Sequence, residues 1–221
     1  MKILRKSFRF QVFVSFLVMA LLVLGVTATS YSAAKSSEPE ITENYTTYTD
    51  EMKLFSISYP SDWKTIRILN PFPVSETEKA IKNITKKLSL VLPAEKTGII
   101  FGAGIPVTGG YAPNVILGDA PMPMPGVFTN DQVTEAEIRG IKMFTEYFKE
   151  FSRVKIIIDG REATIIDYEA ALPGTNKVHC LQMIMIVDEK IWGVICTSFT
   201  EDFARRKKDF QIIVRSLRIL K

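Results

Sequence analysis

The chain has 221 residues, with 28 Lys and Arg against 24 Asp and Glu and a single His. Four of the basic residues and none of the acidic ones lie in residues 1–34, so everything beyond that stretch is formally neutral. Nucleic-acid binding needs clustered, uncompensated Lys and Arg, and the one dense run, Arg205-Arg206-Lys207-Lys208, reads as a solvated helix face. No nucleic-acid partner is expected.

Lys2, Arg5, Lys6 and Arg9 precede an apolar segment from Phe10 to Ala28, interrupted only by Gln11, Ser15 and Thr27. Basic residues before an apolar run signal export. Val26-Thr27-Ala28 and Ser32-Ala33-Ala34 offer small residues for signal-peptide cleavage. The run also approaches the ~20 residues that span a bilayer. Residues 1–34 are therefore a cleaved signal peptide or a retained anchor, and the length favours the anchor slightly. Residues 10–28, if uncleaved, would hold the membrane with the domain outside. No Cys lies near the end of the segment to take a lipid. Residues 35–49, rich in Ser, Thr, Glu and Tyr, read as a tether. Asn44-Tyr45-Thr46 and Asn83-Ile84-Thr85 fit the glycosylation pattern, which matters only in a glycosylating host.

Residues 50–221 suffice for one domain with its own core. Leu54 to Tyr59 alternates apolar and polar residues and ends on Pro60-Ser61-Asp62, which predicts a strand and a turn. Trp63 is expected in or beside the core, and Thr65 to Leu69 forms another extended piece. Ser75-Glu76-Thr77-Glu78 has capping-box spacing, and Ala80, Ile81, Ile84 and Leu88 follow at helical intervals. Thr97 to Gly118 carries no charge and predicts two strands around Gly109-Gly110.

Gly102-Ala103-Gly104 lacks the third glycine of a dinucleotide site and the Gly-Lys-Ser/Thr of a phosphate loop, which argues against nucleotide binding. Pro121-Met122-Pro123-Met124-Pro125 is an extended loop. Its methionines either pack on the body or offer soft ligands to copper(I). Tyr111, Asn114, Met122 and Met124 are the candidate ligand or partner residues of this region.

Thr134-Glu135-Ala136-Glu137 suggests a second capping box, opening a helix to about Phe151. Its apolar face would hold Ile138, Ile141, Met143, Phe144, Tyr147, Phe148 and Phe151. Asp159-Gly160, flanked by β-branched residues, predicts a hairpin over Val154 to Ala171. A further hairpin joins Val178–Val187 to Lys190–Ser198 across Val187-Asp188-Glu189. Both of its strands are apolar on alternate faces, so both faces of the sheet must be covered. Thr200 to Ser216 is the last helix, and Leu217-Arg218-Ile219 closes the chain.

Cys180 and Cys196 are the only cysteines. A three-residue turn centred on Asp188 would set them opposite each other, where a disulfide is marginally feasible. Two buried thiols are the competing reading. His179 as a general base lacks a recognisable nucleophile turn. Asp159, Glu162, Asp167 and Glu169 could supply oxygens to calcium, but their spacing makes no calcium loop. No catalytic set, metal site or cofactor is expected.

The run Phe55-Ser56-Ile57-Ser58-Tyr59-Pro60-Ser61-Asp62-Trp63 resembles the PsbP-like group, named for an extrinsic subunit of photosystem II. Ala112-Pro113-Asn114-Val115, the Ile158-Asp159-Gly160-Arg161-Glu162-Ala163 hairpin and the final Arg215-Ser216-Leu217-Arg218-Ile219 are similar to it as well. The resemblance covers about residues 45–221. It implies an α+β domain in which a central antiparallel sheet is flanked by helices on both faces, an α/β/α sandwich. It supplies no catalytic residues and implies a non-catalytic accessory or protein-interaction domain, with a protein partner in a membrane complex. The alternative is an extracytoplasmic small-ligand or metal-binding protein using the Gly, Pro and Met loops of residues 102–128. A hydrolase with an unrecognised site ranks last.

Overall fold

Two tight turns organise the larger part of the chain. Asp159 and Gly160 take φ of 52° and 74°, and Asp188 and Glu189 take 49° and 60°. These are the left-handed angles that let a two-residue turn match the twist of the strands it joins. The computed structural model describes residues 45–65, 98–105, 112–122, 126 and 128–220. The expected anchor or signal segment, most of the tether and the expected helix after Ser75 lie outside the described residues, as do Tyr111 and Met124.

Among the described residues the strands are β1 Tyr45–Thr49, β2 Phe55–Pro60, β3 Lys64–Thr65, β4 Gly98–Gly104, β5 Asn114–Pro121, β6 Tyr147–Ile158, β7 Arg161–Ala171, β8 Val178–Val187, β9 Lys190–Phe199 and β10 Arg218–Ile219. The helices are α1 Asn130–Phe144 and α2 Thr200–Ser216. A seven-stranded sheet runs β3-β4-β5-β9-β8-β7-β6, a three-stranded sheet runs β1-β2-β10, and every pairing is antiparallel. The last five residues read as tether thus form β1, paired along its length with β2.

Alternation along β5, β7, β8 and β9 sorts their side chains into two dry clusters. Val115, Leu117, Ile165, Leu181, Met183, Met185, Trp192, Val194 and Cys196 join one cluster, with Phe203, Phe210, Ile213 and Val214 of α2 and Phe55 and Ile57 of β2. Ile116, Ile166, Tyr168, Cys180, Ile184, Ile191 and Ile195 join the other, with Val133, Ala136, Ile138 and Ile141 of α1. A strand's period of two sends neighbouring residues to opposite faces, so near-continuous apolar strands require a cover on each side.

Two readings of the sequence need correction. The helix expected from Thr134 to about Phe151 begins earlier and ends earlier. Thr129 is its N-cap, and a capping box joins Thr129 with Gln132. Thr145 stops it, its amide donating to the Ile141 carbonyl. Tyr147, Phe148 and Phe151 belong to β6 instead. Aromatic and β-branched residues suit the pleated surface of a strand, and eleven of the twelve residues of β6 pair with β7. Met143, expected inward, is 56% exposed, whereas Thr134 and Glu137 face the sheet and are buried.

The second correction concerns Cys180 and Cys196. The hairpin turn has two residues, since Val187 pairs with Lys190. Cys180 therefore lies opposite Thr197, and Cys196 opposite Leu181. A one-residue change in register moves a side chain to the other face, so the two thiols point into different clusters and both are free. Burial pushes the Cys180 thiol up to about 12 and raises that of Cys196 as well. Thiol titration without reductant is expected to find both groups in the unfolded chain and neither in the native one. A denatured chain that yields no thiol would overturn this register.

Candidate functional site

The densest polar grouping lies at the margin of the seven-stranded sheet beneath α2. Asp167 and Glu169 stand on β7, His179 is directly opposite Glu169 on β8, and Ser198 is opposite His179 on β9. The His179 ring is sandwiched between Phe203 of α2 and Phe151 of β6, with centroids 3.4 and 5.1 Å away and planes within 8°. Its Nε2 lies 2.5 Å from Asp167 Oδ1, and its Nδ1 lies 3.7 Å from Glu169 Oε1. Lys207 Nζ reaches Asp167 Oδ2 at 3.4 Å, and the Tyr147 hydroxyl donates to Glu169 Oε2 at 3.2 Å. The Lys177 ammonium sits 3.8 Å above the Tyr147 ring, and that of Lys149 lies 4.7 Å from Phe151.

Phe151 reaches this position because it is the bulged residue of β6. Glu150 pairs with Tyr168 and Ser152 with the adjacent Asp167, which leaves Phe151 without a partner in the ladder. A bulge re-aims a side chain, here over the imidazole. Burial opposes ionisation of Asp167, but its hydrogen bond to His179 and the charges of His179 and Lys207 outweigh that and hold its carboxyl below the ordinary value.

The arrangement is poor for general-base catalysis. A serine nucleophile needs a free ring nitrogen to take its proton, and both nitrogens of His179 face carboxylates. Ser198 Oγ is buried and has no hydrogen-bond partner among the described residues. The four carboxylates considered for calcium also separate. Asp159 pairs with Arg161 at the hairpin tip, Glu162 lies 3.8 Å from Lys155, and only Asp167 and Glu169 reach His179. No group of three or more potential metal ligands converges among the described residues.

Of the candidate loop residues, the two described ones fall at opposite ends of β5. Asn114 opens the strand, donating to the Ala112 carbonyl at 3.0 Å and accepting from the Thr197 hydroxyl at 3.2 Å. Met122 follows the other end and is buried in the α1 cluster, its amide donating to the Glu189 carbonyl at 2.7 Å. Eight residues of strand place them roughly 25 Å apart, so they do not share a site.

A second polar group lies under α1, and capping-box spacing hid it from the sequence reading. Glu137 is 1% exposed; its Oε1 accepts from Gln182 Nε2 at 3.1 Å, and Gln182 Oε1 accepts from the Tyr168 hydroxyl at 2.9 Å. Burial raises the Glu137 carboxyl to about 8, against which the Gln182 hydrogen bond acts weakly. Asn130 donates to the Thr164 hydroxyl at 2.8 Å.

With this geometry in hand, comparison with known proteins places the fold. The solution structure of the cyanobacterial PsbP protein CyanoP from Synechocystis has a TM-score of 0.52 at 13% identity, covering 86% of this chain and 98% of that one. The fold is PsbP-like. LpqN of Mycobacterium tuberculosis, a protein involved in cell envelope biogenesis, gives 0.50 at 12% identity, covering 82% and 95%. A variant of the protein Mog1 gives 0.50 at 7% identity, covering 80% and 97%. No protein-family model matches the chain, and no curated protein matches it. Among the described residues no helix is long and apolar enough to cross a membrane.

Proposed function

We propose that this chain is an exported accessory domain that acts by binding protein rather than by catalysis, held at the membrane through residues 10–28 where these are retained. We take its domain to be a sandwich, with α1 on one face of the large sheet and α2 on the other; their separate clusters support this. The observation that carries the functional reading is β6. It ends the seven-stranded sheet, and no strand among the described residues pairs with its outer side. Phe151, Val154 and Ile157 are 45%, 50% and 69% exposed along it. Natural edge strands are normally blunted by shortness, a cover, charged side chains or a bulge, because an open edge pairs with other chains. A twelve-residue edge that keeps large apolar groups in water suits an interaction site.

The engagement of both His179 nitrogens supports a structural and docking role for that cluster, since it sets Phe151 and its lysine rim on the margin. A photo-crosslinking amino acid at Val154 in the full chain, expressed in its own host, is expected to yield a discrete protein adduct. The same probe at the exposed Glu201 of α2 should yield none. Equal labelling at both sites, or none at Val154, would count decisively against the proposal.

A further inference from the structure

We infer that β6 pairs with β6 of a second copy of this chain, antiparallel through the outer parts of the strand on either side of its centre; this rests on the reading of the chain as a protein-binding domain and names its partner. The bulge at Phe151 sets the register. Before it, Phe148 packs in the α1 cluster, so even-numbered residues of that arm face α1. After it, Val154 and Ile156 pair with Ile165 and Ala163 of the α2 cluster, so odd-numbered residues face α1.

Pairing across a two-fold axis normal to the sheet continues each face of one sheet into the same face of the next. A residue from one arm must therefore meet a residue of opposite parity from the other arm of the second copy. The register that uses both ends of the strand sets Tyr147 against Ile158 of the second copy and leaves the central Ser152 and Arg153, which lie on opposite faces, out of the ladder. Phe148 then meets Ile157, Lys149 meets Ile156 and Glu150 meets Lys155, and each contact occurs twice.

Every one of these four contacts joins residues of the same face, which an unbulged strand could not achieve in this register. The chemistry agrees. Ile157, 69% exposed, gains an aromatic neighbour. Glu150 and Lys155, which lie in ion pairs with Arg153 and Asp131 on the α1 face, gain an opposite charge rather than a like one. Backbone groups along the edge that pair with no strand among the described residues gain the hydrogen bonds that give strand addition its affinity.

Paired single-cysteine variants test the register. Glu150→Cys mixed with Lys155→Cys brings the two Cα atoms to the ~4.5–5.5 Å of directly opposed residues, and oxidation or a short bismaleimide should link the thiols. Either variant alone places its copies about 17 Å apart at ~3.4 Å per residue and should remain unlinked. The native thiols are buried and do not compete. Sedimentation of the full chain in mild detergent should show a dimer that Ile157→Lys weakens by roughly tenfold or more, with an unchanged far-ultraviolet spectrum.

A monomer at all concentrations, or linkage of the Glu150→Cys and Arg153→Cys mixture in preference to the stated pair, would overturn the inference. Should the Val154 probe capture a different protein while the cysteine mixture stays unlinked, self-pairing fails and the protein-binding reading stands. Absence of both adduct and linkage removes both.

Discussion

Glu137→Gln is expected to raise the thermal midpoint at pH 7–8 and to flatten the decline of stability above pH 5. Glu137 is buried under α1, and its carboxyl is raised from an ordinary 4.5 to about 8 by loss of water. The sign follows from proton binding. Below about pH 4.5 both states hold the proton and the residue is neutral to stability. Between about 4.5 and 8 the unfolded chain ionises while the folded one does not, so stability falls as pH rises. Above 8 both states ionise and the decline stops. At about 1.36 kcal/mol per pH unit the loss reaches roughly 5 kcal/mol when complete and about 3 at pH 7.

Glutamine keeps the oxygen that accepts from Gln182 and cannot ionise. At ~2–4 °C per kcal/mol, the variant should melt roughly 6–12 °C higher at pH 7 and within a degree or two of the parent at pH 4. Parallel melting curves across that range would show that Glu137 is hydrated in the native state, and the placement of α1 would have to be revised.

Phe210→Ala is expected to destabilise the domain by about 3–5 kcal/mol. Phe210 is 0% exposed at the centre of the α2 face. Its ring meets Trp63 edge-on at 6.3 Å and Phe203 at 5.9 Å, so truncation empties a space that helix and sheet cannot jointly collapse into. Urea denaturation should show the midpoint falling with little change in slope. Met143→Ala on α1 should change stability by less than about 0.5 kcal/mol, because Met143 is 56% exposed. A large loss at Met143 with a small one at Phe210 would restore the longer helix first read from the sequence.

That contrast shows where the sequence was legible. Thr200–Ser216, the Asp159-Gly160 hairpin and the two-faced burial of β8 and β9 could be read directly, because local signals agreed with tertiary demand. Tyr147 to Phe151 could not, since its aromatics fall at intervals that fit a helix face or, with one bulge, a strand. Thr134 and Glu137 had the spacing of a cap and instead face the sheet. Among the site residues, His179, Asp167 and Glu169 were noticed separately. Their meeting depends on the β7–β8 register, and no short motif records the offset across the connection from Leu172 to Lys177.

By itself the sequence determined the neutral formal charge beyond residue 34 and the antiparallel character of the hairpins, which follow from composition, period and turn residues, while its short motifs carried the PsbP resemblance. Only the tertiary structure decided which face each cysteine occupies, where Phe151 points and which carboxylates hold His179. The physical reason is the two-residue period of a strand. Composition and pattern survive a shift of one residue, but that shift exchanges the faces, and everything chemical about a site depends on the face.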